Sequence, residues 1–195
     1  MEAFLISTGI VALAEIGDKT QLLSLVLAAR FKKPLPIILG ILAATTLNHS
    51  MAGAAGAWAA AQLGPVATRW ILGLSFIAMA GWMLIPDKLD DDQAGAKLGR
   101  FGVFGATTVA FFLAEMADKT QIATIALAAR FDSLAAVVIG TTLGMMIANV
   151  PAVMLGEVAA KKLPKRTVHA VAAVVFAALG VAALWGAGPD LSAGR

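Results

Sequence analysis

Apolar residues run along this chain in long blocks separated by short polar breaks. The blocks are too long and too uniformly apolar for helices that keep one face in water. Six are legible, at about 3–29, 36–63, 66–85, 101–129, 134–160 and 168–187. The first stops at Arg30-Phe31-Lys32-Lys33, ahead of Pro34. The second holds Ala52-x-x-x-Gly56 and Gly53-x-x-x-Ala57, a spacing that lets helix backbones approach closely, so it should pack inside a bundle. Gly64-Pro65 marks the next break, and Trp70 and Trp82 fall where interface anchors belong. The expected fold is an all-α membrane protein of six transmembrane helices: a first three-helix unit over 1–86, a polar linker over 87–100, and a second unit over 101–195. The start lacks the basic region of a signal peptide, so the first block is expected to be a retained helix.

Composition agrees with that reading and narrows the chemistry. Hydrophobic residues make up 59% of the chain and charged residues 14%, and a mean hydropathy of +0.85 is outside the range of soluble domains. Cysteine is absent, which removes disulfides and thiolate metal sites. The formal charge of +3 does not point to nucleic acid, because no basic patch is interleaved with aromatics.

Two of the apolar blocks carry charge at their centres. Glu15-Ile16-Gly17-Asp18-Lys19-Thr20-Gln21 recurs 100 residues later as Glu115-Met116-Ala117-Asp118-Lys119-Thr120-Gln121. Each ionisable group costs roughly 2.5–3.5 kcal/mol at the centre of a bilayer, so such groups there are functional by default. The offset extends further: Leu27-Ala28-Ala29-Arg30-Phe31 matches Leu127-Ala128-Ala129-Arg130-Phe131, and Gly40, Gly56 and Phe76 match Gly140, Gly156 and Phe176. Three helices per unit is an odd number, so the second unit enters the membrane from the other side. The fold is therefore expected to be two inverted three-helix repeats.

Lys and Arg are distributed accordingly. Arg30, Lys32, Lys33, Lys88, Lys97, Arg100, Lys161, Lys162, Lys165 and Arg166 fall on one side, against Arg69, Arg130 and Arg195 on the other. The positive-inside rule then puts both termini on the non-cytoplasmic side.

On a helix Glu15 and Asp18 share a face, with Lys19 flanking Glu15 one turn on, and the same holds for Glu115, Asp118 and Lys119. Inversion about an axis in the membrane plane would join the two faces at the midplane, as in inverted-repeat carriers. Glu15, Asp18, Glu115 and Asp118 are the candidate metal ligands, supported by Lys19, Thr20, Gln21, Lys119, Thr120 and Gln121. An all-oxygen donor set suits hard divalent cations, Ca²⁺ and Mn²⁺ ahead of Mg²⁺. Four carboxylates and two lysines leave two negative charges, which one divalent cation or two protons would neutralise. That equivalence suggests cation/proton exchange.

Asn48, His49 and Asn149 are either lining of a pathway or interhelical glue. Thr45, Thr46, Thr141 and Thr142 are expected to bond back to their own helices. His169 is expected to be solvated, Glu157 to form an interfacial pair with Lys161, and Asp90-Asp91-Asp92 to be a solvated run. Three other readings remain open on the residues alone: an intramembrane carboxylate-dependent hydrolase, a helical scaffold, and an exporter of another small solute.

The doubled Glu-x-Gly-Asp-Lys-Thr stretch, with apolar helices behind each copy, resembles the Gdt-type cation/proton antiporter family from about Leu5 to Trp185. The resemblance implies a bacterial inner-membrane carrier that exports Mn²⁺, with Ca²⁺ as the second choice, in exchange for H⁺ by alternating access. It has no cofactor, has the bilayer as its surroundings, and leaves a homo-oligomer open. It maps the cation onto Glu15, Asp18, Glu115 and Asp118. One departure is Ala117, where the pattern has glycine, and this predicts unequal parts for the two copies.

Overall fold

The computed structural model describes residues 1–85, 102–116, 118–155 and 165–185. The linker 87–100, Ala117, Gly156, Glu157, Lys161 and Lys162 lie outside them. The described residues form seven helices and no strand: α1 (Glu2–Glu15), α2 (Lys19–Phe31), α3 (Pro34–Trp82), α4 (Gly102–Glu115), α5 (Lys119–Arg130), α6 (Leu134–Leu155) and α7 (Lys165–Trp185).

The first apolar block is two helices where the hydropathy pattern predicts one. Gly17 has φ +87°, a left-handed conformation open to glycine, and Asp18 follows in an extended conformation as the N-cap of α2. The fourth block divides at the same place. Asp118 caps α5 with φ −86° and ψ 165°, close to the −73° and 169° of Asp18. Hydropathy averaged over a block cannot register a break two or three residues long, so the pattern hid both.

Elsewhere the sequence signals hold. Lys32 ends α2 in a left-handed conformation, its N–H bonded to the Ala28 carbonyl, and Pro34 opens α3. At 49 residues, α3 would be about 74 Å long if straight, more than twice the hydrocarbon core. Gly64 divides it, with φ 70° and ψ 168° at the predicted Gly64-Pro65 break. Pro34–Trp82, Leu134–Met154 and Thr167–Trp185 are long and apolar enough to cross a membrane. The broken helices α1/α2 and α4/α5 are individually shorter. Leu39, Leu47, Trp58, Trp70, Ile139 and Val174 are exposed on the outer surface, as lipid-facing residues would be.

Packing recurs at the sequence offset. The start of α3 lies on α4, where a methyl placed on Gly40 would sit 2.9 Å from the Phe104 carbonyl oxygen and against Thr107. The start of α6 lies on α1, where one on Gly140 would sit 2.6 Å from the Phe4 carbonyl oxygen and against Ser7. In the same way α2 packs on α6 and α5 on α3, with Gly56 allowing close approach to α5 and Gly53 to α6. The C-terminal arm of α3 meets α7, with the Phe76 and Phe176 rings 6.1 Å apart. The start of α3 thus packs on α4 and α5, and α6 packs on α1 and α2.

A candidate cation site between two helix breaks

Both breaks are built by the same local bonds. The Asp18 N–H donates to the Glu15 carbonyl at 3.1 Å and the Asp118 N–H to the Glu115 carbonyl at 3.2 Å, so each motif turns sharply after its glutamate. The turn presents the N-termini of α2 and α5, whose free amides favour negative charge, beside the buried carboxylates. Asp18 also accepts the Thr20 amide at 3.4 Å.

The breaks meet in the interior. Glu15, Asp18, Glu115 and Asp118 are all buried, and Glu15, Glu115 and Asp118 each bring a carboxylate oxygen to within 4.8 Å of the other two. No other group of three candidate ligands comes together among the described residues. Oxygens that close would repel strongly when ionised, so this arrangement favours occupation by a cation or by protons.

The ion pairs cross between the motifs. Lys19 bonds Asp118 at 3.5 Å, and Lys119, fully buried, bonds Asp18. This corrects the expectation that Lys19 flanks Glu15 one turn on. The break at Gly17 ends the helical register between Glu15 and Lys19 and aims the ammonium at the other half. Neither glutamate belongs to these two bridges. Glu15 instead accepts the Thr20 hydroxyl at 2.5 Å and the Thr120 hydroxyl from across the interface. Both Glu115 oxygens lack a hydrogen-bond partner.

The remaining polar residues tie the breaks to neighbouring helices. Gln21 accepts the Gly17 N–H at 3.0 Å and donates to the Ala148 carbonyl at 3.1 Å, bracing the first turn against α6. Asn149 accepts the Ser24 hydroxyl at 2.7 Å and donates to the Met145 carbonyl, while Asn48 donates to the Phe112 carbonyl at 3.1 Å. Both asparagines therefore bond between helices. His49 is fully buried with neither ring nitrogen bonded. Thr46 and Thr141 bond back to their own helices as expected, but the hydroxyls of Thr45 and Thr142 have no partner.

Two participants were missed by the sequence reading. His169 is not solvated: it is half-buried, and its Nε2 lies 2.9 Å from the carbonyl of Ile16, inside the first break. The contact joins residues 153 positions apart, which no local pattern could reveal. Ser24 was also passed over, although the offset pairs it with another hydroxyl residue, Thr124.

Comparison with known proteins returns one family over most of the chain. The family model described as "Divalent cation/proton antiporter GDT1" matches the chain in two blocks, residues 3–91 and 103–190. A candidate manganese exporter of Vibrio cholerae is 49% identical over 183 residues, covering 93% of this chain and 90% of that protein. A GDT1-like protein of Synechocystis is 27% identical over 95% of this chain and 98% of its own length. GDT1-like protein 3 of rice is 27% identical over 92% of this chain and 72% of its own. No solved structure matches. The family consists of transporters rather than enzymes, which removes the hydrolase reading. With both halves matched and the doubled acidic motif intact, the chain belongs to the GDT1 family of divalent cation/proton antiporters.

Proposed function

We propose that this protein exports Mn²⁺, with Ca²⁺ as the less favoured cargo, in exchange for H⁺ across a bacterial inner membrane. The observation that carries the reading is the buried convergence of Glu15, Glu115 and Asp118 from two separate helix breaks. Asp18 is the fourth carboxylate of the site, held in place by Lys119. The manganese preference follows the Vibrio relative; the oxygen donors by themselves suit any hard divalent cation.

The charge arrangement supports a stoichiometry. Each aspartate is bridged by the lysine of the opposite motif, so the two glutamates hold the exchangeable charge. One divalent cation displaces two protons from them, and the reverse exchange reloads the protons. An empty and ionised site would leave uncompensated charge in the bilayer, so the carrier crosses between its two facings only when loaded.

The architecture that serves this exchange is six spans in two inverted repeats, with α1/α2 and α4/α5 each acting as one broken span. Support comes from the paired contacts of Gly40 and Gly140, the crossed lysine bridges and the two-block family match. Broken helices meeting at the midplane are the usual site of alternating access in such folds. Both termini then lie outside the cytoplasm.

Reconstitution into proteoliposomes tests the proposal, with Mn²⁺, Ca²⁺, Mg²⁺ and Zn²⁺ supplied in turn and lumenal pH recorded. An acidic lumen should drive Mn²⁺ in while the lumen alkalinises. Cation flux with no counterflow of protons would sink the exchange.

A further inference from the structure

The break in the first motif is a single hydrogen-bonded turn. The Asp18 N–H bonds the Glu15 carbonyl at 3.1 Å, Ile16 between them has φ −65° and ψ 113°, and Gly17 has φ +87°. These lie close to the angles of a type II β-turn, about −60° and +120° at its second residue and about +80° at its third. A type I turn keeps the same closing bond and differs by a flip of the central peptide, here Ile16–Gly17, which brings both central residues near helical angles. Glycine takes either sign of φ at little steric cost, so Gly17 by itself does not choose between the two. The choice matters to the site, because this peptide joins two carboxylate residues. Flipped, the chain would run on toward a helical course and change where Asp18 stands relative to Glu15.

The peptide is tied at both ends. Its N–H, that of Gly17, donates to the Gln21 side chain at 3.0 Å, and the Gln21 amide is braced on the Ala148 carbonyl of α6. Its carbonyl, that of Ile16, lies 2.9 Å from Nε2 of His169 on α7. A carbonyl only accepts, so Nε2 carries the proton and donates. A flipped peptide would point both groups the opposite way and lose both bonds.

His169 makes this tie from a well-anchored helix. Ala172, Ala173 and Phe176 share its face of α7, and all three are buried. Phe176 meets Phe76 on the C-terminal arm of α3, and a methyl on Gly180 would sit 2.9 Å from the Gly73 carbonyl oxygen on that same arm. The donor therefore belongs to a close-packed pair of helices, whereas the carbonyl it holds belongs to the most permissive point of the first span.

We propose that His169 is a positioning residue of the cation site, holding the Ile16–Gly17 peptide in its type II setting so that Glu15 and Asp18 are placed before the ion arrives. This rests on the exchange reading of the site. His169 touches no cargo and acts through one backbone carbonyl next to Glu15. Without it the turn populates both settings, and apparent affinity falls with the fraction of protein in the competent one.

The test is the half-saturating Mn²⁺ concentration for exchange in proteoliposomes. His169→Leu keeps an apolar side chain on the packed face and removes the donor. It should raise the half-saturating value by about three- to tenfold, the usual worth of one hydrogen bond. His169→Gln, whose amide nitrogen can stand near the place of Nε2, should return it close to the wild-type value. A packing defect lowers the amount of active carrier, and with it maximal flux, without moving half-saturation, so it does not imitate this result. A wild-type value in His169→Leu, or a His169→Gln value no better than that of His169→Leu, overturns the positioning role while the exchange reading stands. Wild-type protein without Mn²⁺-coupled proton flux removes the exchange reading and the role of His169 with it.

Discussion

The two acidic motifs differ at two positions in seven, Ile16 against Met116 and Gly17 against Ala117, yet they stand in different surroundings. Around the first motif the polar groups are satisfied: Glu15 by two threonines, the Ile16 carbonyl by His169, the Gly17 amide by Gln21. Around the second, Glu115 sits buried with both oxygens unbonded. Near-identical residues in unequal settings show that the motif supplies the chemical groups, whereas the opposing helices decide which of them are engaged. For a carrier this inequality has a use, since a site satisfied equally on both sides would have no preferred direction in which to open.

The largest effect that would sharpen the comparison comes from the glutamates. Glu15→Gln and Glu115→Gln should each abolish Mn²⁺/H⁺ exchange in proteoliposomes, a loss beyond the roughly 10- to 100-fold typical of groups that only support a ligand. The two should part in stability: Glu115→Gln keeps or raises the melting temperature in detergent, because it removes an unbonded buried carboxylate, and Glu15→Gln lowers it. Equal shifts in melting temperature would break the claimed inequality.

Next come the lysines. Lys119→Met strips a fully buried bridge from Asp18 and should destabilise the protein by about 3–5 kcal/mol in chemical denaturation. Lys19, 19% exposed and 3.5 Å from Asp118, should matter less, on the order of 1 kcal/mol for Lys19→Met. A reversed order would show that the crossed bridges do not carry the weight their burial implies.

The smallest effect tests the breaks themselves. Gly17→Ala forces a side chain into φ +87° and should cost about 1–2 kcal/mol. Ala117→Gly, which makes the two copies identical there, should change stability by less than about 1 kcal/mol. If Gly17→Ala is silent in thermal denaturation, the left-handed turn is not what divides the first span.

Much of this protein could be read from its sequence for definite physical reasons. The apolar blocks follow from the thickness of a bilayer, and the break at Gly64-Pro65 from backbone chemistry that no context overrides. The candidate carboxylates stood out because charge inside an apolar block is energetically conspicuous. Repetition of Glu15 and Asp18 at Glu115 and Asp118 then pointed to one shared site. What stayed hidden was short or distant. The turns after Glu15 and Glu115 are too brief to alter hydropathy, and the register they interrupt misled the pairing expected for Lys19.

The sequence by itself determined the kind of protein, the oxygen-bearing side chains available to it and the recurrence of the acidic motif, because these depend on residue type and spacing alone. Only the tertiary structure decided that each aspartate is bridged from the opposite half, that Thr120 reaches Glu15, that His169 holds the Ile16 carbonyl, and that Glu115 is left unbonded. Those facts depend on which helix lies opposite which. That choice is made by close packing at Gly40, Gly53, Gly56 and Gly140, where backbones approach from segments far apart in the chain and no local pattern records the partner.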